Sequence, residues 1–486
     1  MTVNVRGENG KTVALVLAAV ALGGCVGGRP ASFDGVTLVK RPYADLAVRR
    51  TADGKTAYVT VDDGQWPVDP EYRFGLDGRP RRVEALLPNG HWKEVAFDYY
   101  DERKLLLFRH PAPAAVASAR IGLQTPAERP AFTGEDSPAI ERMIAQAVRD
   151  GSRRVTLAKK ADGTPWYLTR AILLPDDFTL EIDDCIVQLA PGVQDNLIRN
   201  AGAQEGRATP NRNITIRGRG YAVLCGGLEN HYAPRRSGDT NGWRALGVVL
   251  HGVDGFVIDG VTLRETQSWG VSIENGSCHG RVSNIRLEDT NLLFNQDGID
   301  VRSGCHDIVI ENVSGTCGDD AVALTGAGPR GVPLSAKDSG GKIKTLPLSL
   351  GNPRLDRAVS AADDIYNVTI SNVCARSAGG HSVVRLLCQD GVKLHHVTVR
   401  DVVDTTGDDQ LEAQATIRIG DFNYWTDRPA QMGDMHHITI ENVKARGRFG
   451  ISFKGPLSDS VIRNVTVRPK APAYDVRAKF RNVLFD

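Results

Sequence analysis

A short phrase of alternating apolar and polar positions recurs along the second half of the chain. In each copy, aliphatic residues flank an Asp, Asn or His. The copies are residues 257–261, 282–285, 309–313, 368–373, 392–397, 438–443 and 461–465. The polar residue of each copy lies at position 259, 284, 312, 372, 396, 442 or 464, so the steps are 25, 28, 60, 24, 46 and 22. Alternation over so few residues favours short β-strands rather than helices.

Repeats of about 20–30 residues that hold two or three short strands are typical of a parallel β-solenoid. The polar residue is expected where the strand turns, since it can satisfy backbone groups at a corner. The two longest steps must contain insertions. Residues 326–361, which fill much of the longest step, are rich in Gly, Pro, Ser and Lys and predict a surface loop. Its position directly after Asp319-Asp320 predicts a rim or lid.

One helix stands out before the repeats. Ser137 is a good N-cap, Pro138 suits the first helical position, and Asp150-Gly151 ends the segment. The apolar positions between them follow helical spacing: Ile140, Met143, Ile144, Ala147 and Val148. Because a solenoid has an apolar end that must be covered, this amphipathic helix is predicted to be its cap.

Residues 31–128 show shorter alternating runs separated by turn signals such as Asp62-Asp63-Gly64. This pattern predicts a small antiparallel β domain, whose function the sequence does not indicate. Residues 130–486 then form the predicted β-helix domain. A chain of 486 residues is long for one core, which agrees with this division.

The N-terminus is typical of an export signal. Arg6 and Lys11 precede an apolar run over residues 13–22, which is too short to span a bilayer. The run ends at Leu22-Gly23-Gly24-Cys25 and resembles the bacterial lipobox, in which the cysteine becomes the lipidated first residue. We therefore expect residues 1–25 to be a lipoprotein signal, and the protein to lie in the periplasm or on the outer-membrane surface. An ordinary cleaved signal with a chance cysteine is the alternative.

Composition narrows the partners. The net charge of +1 gives no argument for nucleic-acid binding. Contact with a membrane is expected only through the lipid anchor. Seven cysteines follow Cys25 and none forms a C-x-x-C pair, which argues against structural zinc. Buried thiols are the expected state of most of them, with one disulfide left open.

Four acidic residues lie close together where the repeats are most regular. Asp297 and Asp300 fall in Asn295-Gln296-Asp297-Gly298-Ile299-Asp300, and Asp319 and Asp320 follow Cys317-Gly318. Asp297 and Asp319 are 22 positions apart, about one repeat, which predicts a carboxylate cluster on one face of the solenoid. Like charges this close raise at least one pKa, so one carboxyl can donate a proton while another activates water. That is the arrangement glycoside hydrolysis needs, whereas the plain alternative is that these residues cap turns beside glycines.

The same residues resemble glycoside hydrolase family 28, the polygalacturonase family. The elements that carry the likeness are N-x-D-G-x-D at residues 295–300, Asp319-Asp320, Gly380-His381 and Arg418-Ile419, with Ser268-Trp269-Gly270-Val271 upstream. The likeness covers roughly residues 130–470. It implies a right-handed parallel β-helix and an inverting hydrolase that needs neither metal nor cofactor.

The resemblance also implies roles for single residues. Asp319 matches the general acid, Asp297 and Asp320 would hold the attacking water, and His381 would tune the acid by hydrogen bonding. Substrate contacts are expected from four residues: Asn295, Arg385, Arg418 and Trp269. Trp269, Tyr424 and Trp425 are candidates for stacking on sugar rings, with ordinary packing as the alternative.

Two departures from the family pattern concern the substrate. Gly380-His381-Ser382 stands where the family has G-H-G, and Arg418-Ile419-Gly420 stands where it has R-I-K. The lysine that helps to bind a galacturonate carboxylate is therefore missing. Arg385, Arg302 and Lys454 are candidates for a replacement charge, and a decorated pectic fragment or another glycan is expected in place of plain polygalacturonate.

The sequence thus predicts a glycoside hydrolase acting on a pectic or uronate-containing polysaccharide or oligosaccharide. One rival is a β-helical polysaccharide lyase, which commonly needs calcium and a basic residue. Another is a glycan-binding surface module whose acidic residues are structural.

Overall fold

The structure is a computed structural model. It describes residues 135–193, 195–203, 209–227, 230, 246–289, 295–327, 358–408, 410–421 and 428–486, together with the backbone of the strands assigned elsewhere. Within these residues, no helix has the length and apolar character needed to cross a membrane.

Eleven strands precede the helix and pair antiparallel in three sheets. They are β1 (Thr2–Arg6), β2 (Thr12–Val16), β3 (Ser32–Phe33), β4 (Val36–Leu46), β5 (Val48–Arg50), β6 (Ala57–Thr60), β7 (Arg81–Leu86), β8 (Trp92–Glu94), β9 (Phe97–Tyr100), β10 (Leu105–Phe108) and β11 (Ser118–Pro126). The sheets run β1-β2, β5-β6-β10-β9 and β3-β4-β11-β7-β8. Cys25 lies outside the described residues. The leader and the separate N-terminal domain stay predictions.

Helix α1 (Ser137–Arg149) begins the described part of the large domain and covers its first coil, as predicted. Its buried face contributes Ile140, Ile144 and Ala147 to the main apolar core. Asp136, not Ser137, is the residue before the helix, so the predicted N-cap was wrong by one position. The Ser137 hydroxyl instead accepts a 2.9 Å hydrogen bond from the amide of Thr169, which fastens the helix to the first coil.

Two long parallel sheets form the body of the fold. The larger follows the path β12 (Arg154–Ala158), β15 (Phe178–Asp183), β20 (Asn211–Arg219), β23 (Val253–Asp259), β26 (Cys278–Glu288), β28 (His306–Cys317), β32 (Ile365–Ser377), β34 (Leu394–Asp404), β36 (Met435–Ala445), β38 (Leu457–Val467) and β40 (Phe480–Phe485). A side branch adds β13 (Trp166–Leu168), β16 (Ile186–Leu189), β21 (Val223–Cys225) and β24 (Thr262–Arg264).

The second sheet runs β14 (Ile172–Leu174), β17 (Ile198–Asn200), β22 (Val248–His251), β25 (Val271–Glu274), β27 (Ile299–Arg302), β29 (Val322–Gly326), β33 (Val384–Cys388), β35 (Ile417–Ile419), β37 (Ile451–Phe453) and β39 (Tyr474–Val476). Two small antiparallel pairs lie outside the coils, β18 (Ala203–Gln204) with β19 (Arg207–Ala208), and β30 (Ala336–Lys337) with β31 (Ile343–Lys344). A 3₁₀ turn, Ala361–Asp363, precedes β32. Consecutive coils stack in parallel register, so the fold is the right-handed parallel β-helix that the repeats and the resemblance predicted.

The core is a stack of aliphatic side chains, one from each coil at every inward position. One such column is Ile258, Val282, Ile310, Ile370, Val399, Ile440 and Ile462, and every member is fully buried. Full burial of each aliphatic side chain is worth about 1.5–3 kcal/mol. Because the column continues through many coils, the repeated apolar phrase supplies a continuous core although each coil alone is thin.

The polar residue of the phrase turns the strand, as predicted. Asn284, Asn312, Asn372, Asn442 and Asn464 all have φ between +51° and +58°, a left-handed conformation that Asn tolerates. Their side chains form a ladder in which Asn312 donates to Asn284 at 2.9 Å and Asn372 donates to Asn312 at 2.7 Å.

Strand pairing corrects two members of this series. The register places Gly260 and Asp401 at the ladder position, in place of Asp259 and His396. His396 lies at a different corner, in the column of Asn367 and His437. The phrase at residues 392–397 was misaligned because both corners carry a polar residue between aliphatic ones.

The seven cysteines from Cys185 to Cys388 are all free thiols, so the open disulfide is not formed among them. Five are buried, while Cys278 is half-buried and Cys374 is exposed. The predicted lid falls mostly within residues 328–357, outside the described residues apart from the backbone of β30 and β31.

Candidate active site

Asp297 lies in the turn that leads into β27, Asp319 and Asp320 lie in the turn that leads into β29, and Asp300 lies within β27. Gly298 lets these two coils approach closely, since a Cβ atom there would collide with the carbonyl oxygen of Ala321. The amide of Gly298 donates a 2.9 Å hydrogen bond to the carbonyl of Asp320. Ile299 pairs with Val322, so the local step is one position longer than the spacing between Asp297 and Asp319. Extended toward the turn, this register puts Asp320, not Asp319, directly beside Asp297.

The predicted carboxylate cluster is present. One oxygen from each of Asp297, Asp319 and Asp320 lies within 4.8 Å of the others. All three residues are buried, and so is Asp300, which lies on β27. Asp297 Oδ1, Asp300 Oδ2 and Asp320 Oδ2 accept no hydrogen bond within the described part of the chain. Among the described residues, these three buried oxygens therefore lack a hydrogen-bond donor, although Oδ2 of Asp320 lies 3.6 Å from Nη1 of Arg385.

Burial and mutual repulsion perturb the ionisation of the cluster. Burial, followed by the charges of Asp300, Asp319 and Asp320, raises the pKa of Asp297 well above its usual range, against the opposing charge of Arg385. The pKa of Asp320 is also raised, by burial and then by Asp319, while Arg385 and Arg418 oppose the shift. The cluster therefore retains a proton at a pH where ordinary carboxyls have lost theirs.

Asp319 and Asp320 point to different partners. Nδ1 of His381 lies 3.0 Å from Oδ1 of Asp319, which is the contact that the resemblance implied. Oδ1 of Asp320 accepts a 2.7 Å hydrogen bond from the amide of Ser382. Ser382, the departure from G-H-G, thus still holds Asp320 through its backbone. Burial and the neighbouring acids raise the pKa of the Cys317 thiol, whose sulfur contacts the Asp319 carbonyl at 3.1 Å.

Two buried arginines lie along the second sheet, one coil apart. Arg385 on β33 pairs with Arg418 on β35, and Nη1 of Arg385 lies 3.6 Å from Oδ2 of Asp320. Asp421, which the sequence analysis missed, links them: its Oδ2 lies 2.5 Å from Arg418 and 3.5 Å from Arg385. The structure therefore brings the predicted Arg385 and Arg418 together beside the carboxylates. Only the position of Asp421, shortly after Arg418, could have signalled this link.

Lys454 occupies the coil that follows Gly420. Ile419 pairs with Phe453, and the amide of Lys454 donates a 2.8 Å hydrogen bond to the carbonyl of Ile419. Nζ of Lys454 and Nη1 of Arg418 both lie 3.5 Å from Oε1 of Gln414. Burial, and then the charge of Arg418, lowers the pKa of Lys454. The ammonium group of Lys454 thus meets the Arg418 side chain at Gln414. Lys454 lies in the coil next to Gly420, which stands where the family has its lysine.

The remaining predicted contacts are Trp269 and Asn295, with Tyr424 and Trp425 as further candidates for stacking. Trp269 is buried and packs with Ala203, Leu246 and Val249, and the guanidinium of Arg302 lies 4.7 Å from its ring centroid. These neighbours favour ordinary packing, rather than stacking on a sugar ring, as the role of Trp269. The guanidinium of Arg302 contacts the indole ring of Trp269. Asn295 is half-buried in a left-handed conformation at the head of the motif. Tyr424 and Trp425 lie outside the described residues.

Among the described residues, two groups of three acidic, cysteine or histidine side chains bring their ligand atoms close enough to hold a metal ion. The first is the carboxylate trio itself, whose hard oxygen ligands suit Ca²⁺ or Mg²⁺. The second, Asp254, Cys278 and His279, lies on the other long sheet and is largely exposed. Chemically, the trio can also divide proton donation and water activation among its members, because burial and neighbouring charges raise the pKa of Asp297 and of Asp320.

No model of a known protein family matches the chain, and no curated protein matches it in sequence. Solved structures resemble it in their chain path. A polygalacturonase from Erwinia carotovora ssp. carotovora is 14% identical, covers 74% of this chain and 92% of its own, and has a TM-score of 0.45. An endo-xylogalacturonan hydrolase from Aspergillus tubingensis is 13% identical, with coverage of 74% and 91% and a TM-score of 0.43.

A family 28 exopolygalacturonase from Yersinia enterocolitica is 11% identical and covers 91% of this chain and 99% of its own, with a TM-score of 0.35. At these identities and scores the likeness is one of fold at most, and no assignment of activity rests on it. The residues of the site have to support any function by their own chemistry.

Proposed function

We propose that this protein is a glycoside hydrolase that cleaves a uronate-containing, pectic or related glycan. The observation that carries the proposal is the buried trio of Asp297, Asp319 and Asp320, with oxygens within 4.8 Å and a buried arginine beside it. Burying three carboxylates this close together is costly, and a role limited to capping turns would not require it.

Asp319 is the proposed general acid. The Nδ1–H group of His381 donates to one carboxyl oxygen, and the other oxygen carries the proton that the leaving oxygen receives. Asp297 and Asp320 are the proposed pair that orients and deprotonates the attacking water. Oδ1 of Asp297 and Oδ2 of Asp320 accept no hydrogen bond within the described residues, although Nη1 of Arg385 lies 3.6 Å from the latter. Each is therefore suited to accept one proton of the water as a hydrogen bond. His381 is a positioning residue in this scheme.

The stereochemical outcome needs its own measurement. The family resemblance implies inversion, for which the two carboxyls are ordinarily about 6.5–9.5 Å apart. Separations of about 5–5.5 Å usually accompany retention. The nearest oxygens here lie within 4.8 Å, so the general distance rule and the resemblance disagree. We propose inversion, because Asp297 and Asp320 each have an oxygen that accepts no hydrogen bond from the described residues and can together hold one water. The anomeric configuration of the first product, read by proton NMR, tests this.

The cationic groups point to an acidic sugar. Arg418 and Lys454 converge on Gln414, and Arg385 lies between Asp320 and Asp421. We propose that Lys454 supplies the charge of the family lysine that Gly420 lacks, from one coil further along. Gly420 itself has no room for a side chain, since a Cβ atom there would collide with the backbone of Gly455.

The decisive experiment measures reducing-end release across pectic and non-pectic glycans, for the wild type and Asp319→Asn. We expect release from at least one uronate-containing glycan and a loss of about 10²–10⁴-fold in the variant, the usual contribution of a general acid. Circular dichroism should show an unchanged fold. Near-normal turnover by Asp319→Asn would overturn the proposed roles of the three carboxyls. Binding of one glycan without release from any would favour the binding-module alternative.

A lyase is the second candidate, because the carboxylate trio could hold calcium and Arg385 or Lys454 could serve as the base. Elimination creates a carbon–carbon double bond that absorbs in the ultraviolet, whereas hydrolysis does not. Hydrolysis predicts that a chelator leaves the rate unchanged and that products lack this absorbance. Loss of activity in chelator together with absorbing products would establish the lyase.

We also propose that the protein is exported and anchored by lipid at Cys25. Metabolic labelling with a radioactive fatty acid, in cells that express the wild type or Cys25→Ser, tests this. Label in the wild type alone supports the anchor, and label in neither shows that the apolar leader is an ordinary signal.

A further inference from the structure

Four histidines form two adjacent pairs on the outer face of the larger sheet. His395 and His396 belong to β34, and His436 and His437 to β36 in the next coil. The register pairs His395 with His436. His396 and His437 are exposed, and the other two are half-buried. This quartet lies on β34 and β36, whereas the carboxylate site lies at the second sheet.

Within each pair the two Nδ1 atoms meet. They are 2.7 Å apart in His395–His396 and again 2.7 Å apart in His436–His437. The rings of a pair are nearly perpendicular, at 80° and 79°. Between coils the rings stack, with centroids 4.9 Å apart for His395–His436 and 4.8 Å for His396–His437. The same arrangement is therefore built twice, one coil apart.

We propose that this quartet binds a divalent ion of the late first-row transition metals. Without metal, one Nδ1–H of each pair donates to the other Nδ1. When the proton of that Nδ1 is replaced by one on Nε2 of the same ring, both rings stay neutral and both Nδ1 lone pairs are free, 2.7 Å apart. Binding of M²⁺ to a pair then forms two metal–nitrogen bonds, with solvent exchanging the proton between the two nitrogens of the ring.

The spacing selects among metals. With metal–imidazole bonds of about 2.0–2.1 Å, nitrogens 2.7 Å apart subtend about 80° at the ion. That is near the right angle between neighbouring ligands of square-planar or octahedral ions and well below the tetrahedral angle. Cu²⁺ and Ni²⁺ are therefore expected to bind more tightly than Zn²⁺. Because two such ions one coil apart would repel, one ion per quartet is expected.

A buried carboxylate supports the first pair from behind. Oδ2 of Asp364 lies 3.8 Å from Nε2 of His395, the ring nitrogen turned away from His396. A carboxylate behind a ligating imidazole favours the tautomer protonated at Nε2 and leaves Nδ1 free to coordinate.

The corner itself provides matched variants. His396 and His437 both have φ of +53°, and the same corner column holds Asn367 at +53° and Asn482 at +51° in other coils. Asn is thus accepted by this backbone, so His396→Asn with His437→Asn removes one imidazole from each pair without strain. His279→Asn is the control, because His279 has the same corner conformation but belongs to the separate group with Asp254 and Cys278.

The test is calorimetric titration of the tag-free, chelator-treated full chain with CuCl₂ and NiCl₂. We expect about one equivalent to bind, with nitrogen splitting in the Cu²⁺ electron paramagnetic resonance spectrum. The double variant should lose at least about ten-fold in affinity and His279→Asn should not. A rise in the thermal midpoint of the wild type with NiCl₂, absent in the double variant, is the second readout. Absence of binding up to millimolar metal, equal affinity in the double variant, or loss with His279→Asn alone would each overturn the proposal.

Discussion

Nδ1 of His381 lies 3.0 Å from Oδ1 of Asp319, although the two residues are far apart in the sequence. The contact fixes one oxygen of the proposed acid, so we expect His381→Ala to lower kcat by about 10–100-fold and to change KM little. Because the role concerns protonation of the leaving group, the loss should shrink on aryl glycosides whose leaving groups need no proton.

Steady-state kinetics on a natural glycan and on an activated aryl glycoside measure this difference. Asp319→Asn should follow the same pattern as His381→Ala, while Asp297→Asn should lose activity equally on both substrates. An equal loss on both substrates for His381→Ala would assign His381 to structure rather than to the acid.

The second prediction concerns stability. The pKa of Asp297 is raised in the folded state, chiefly by burial, so the folded protein binds more protons than the unfolded chain between the unfolded and folded pKa values. Its contribution is fully present below the unfolded pKa, about 3.9, and is lost as pH rises through the folded pKa. Asp297→Asn should therefore raise the melting temperature at neutral pH by a few degrees while abolishing activity.

Thermal unfolding of wild type and variant from pH 4 to pH 8 checks this sign. The two melting temperatures should be closest at the acid end and diverge as pH rises. A variant less stable than the wild type at pH 7 would show that the Asp297 carboxylate is needed to hold the fold.

The third prediction separates charge from shape at Lys454. If its ammonium binds a uronate carboxylate beside Arg418, Lys454→Met should raise KM for the uronate substrate about ten-fold, with little change on a neutral analogue. Lys444→Met, on the exposed face of β36, is the matched control and should behave as the wild type. A similar KM for Lys454→Met and wild type would remove Lys454 from the substrate site.

Periodicity predicted the β-helix because every coil repeats the same inward and outward positions, and a core built from such repeats leaves its pattern in the sequence. The carboxylate cluster followed from the same arithmetic. The sequence did not predict which carboxyl lies beside Asp297. Gly298 lets the two coils approach closely, and the step between them is one position longer than the spacing suggested, so the neighbour of Asp297 is Asp320 and not Asp319. Lys454 meets Arg418 at Gln414, and Asp421 meets Arg385, through side-chain contacts between coils, and such contacts have no local signature.

Misalignment of the phrase at residues 392–397 has a similar cause. Two corners of the coil both favour left-handed residues, and His396 and Asp401 lie close together in the sequence, with φ of +53° and +58°. Only hydrogen-bonded register decides which belongs to the ladder: Asn442 donates a 2.9 Å bond to Asp401.

The last prediction tests that ladder. Asn312 has φ of +56°, donates to Asn284 and accepts from Asn372. Asn312→Ala removes both hydrogen bonds and leaves a left-handed backbone that alanine disfavours by about 1–2 kcal/mol. Asn312→Gly removes the same bonds, but glycine adopts this φ freely. In chemical denaturation the glycine variant should therefore lose about 1 kcal/mol and the alanine variant about 2–3 kcal/mol. Equal losses would mean that the side-chain ladder, rather than the backbone conformation, sets the stability of this corner.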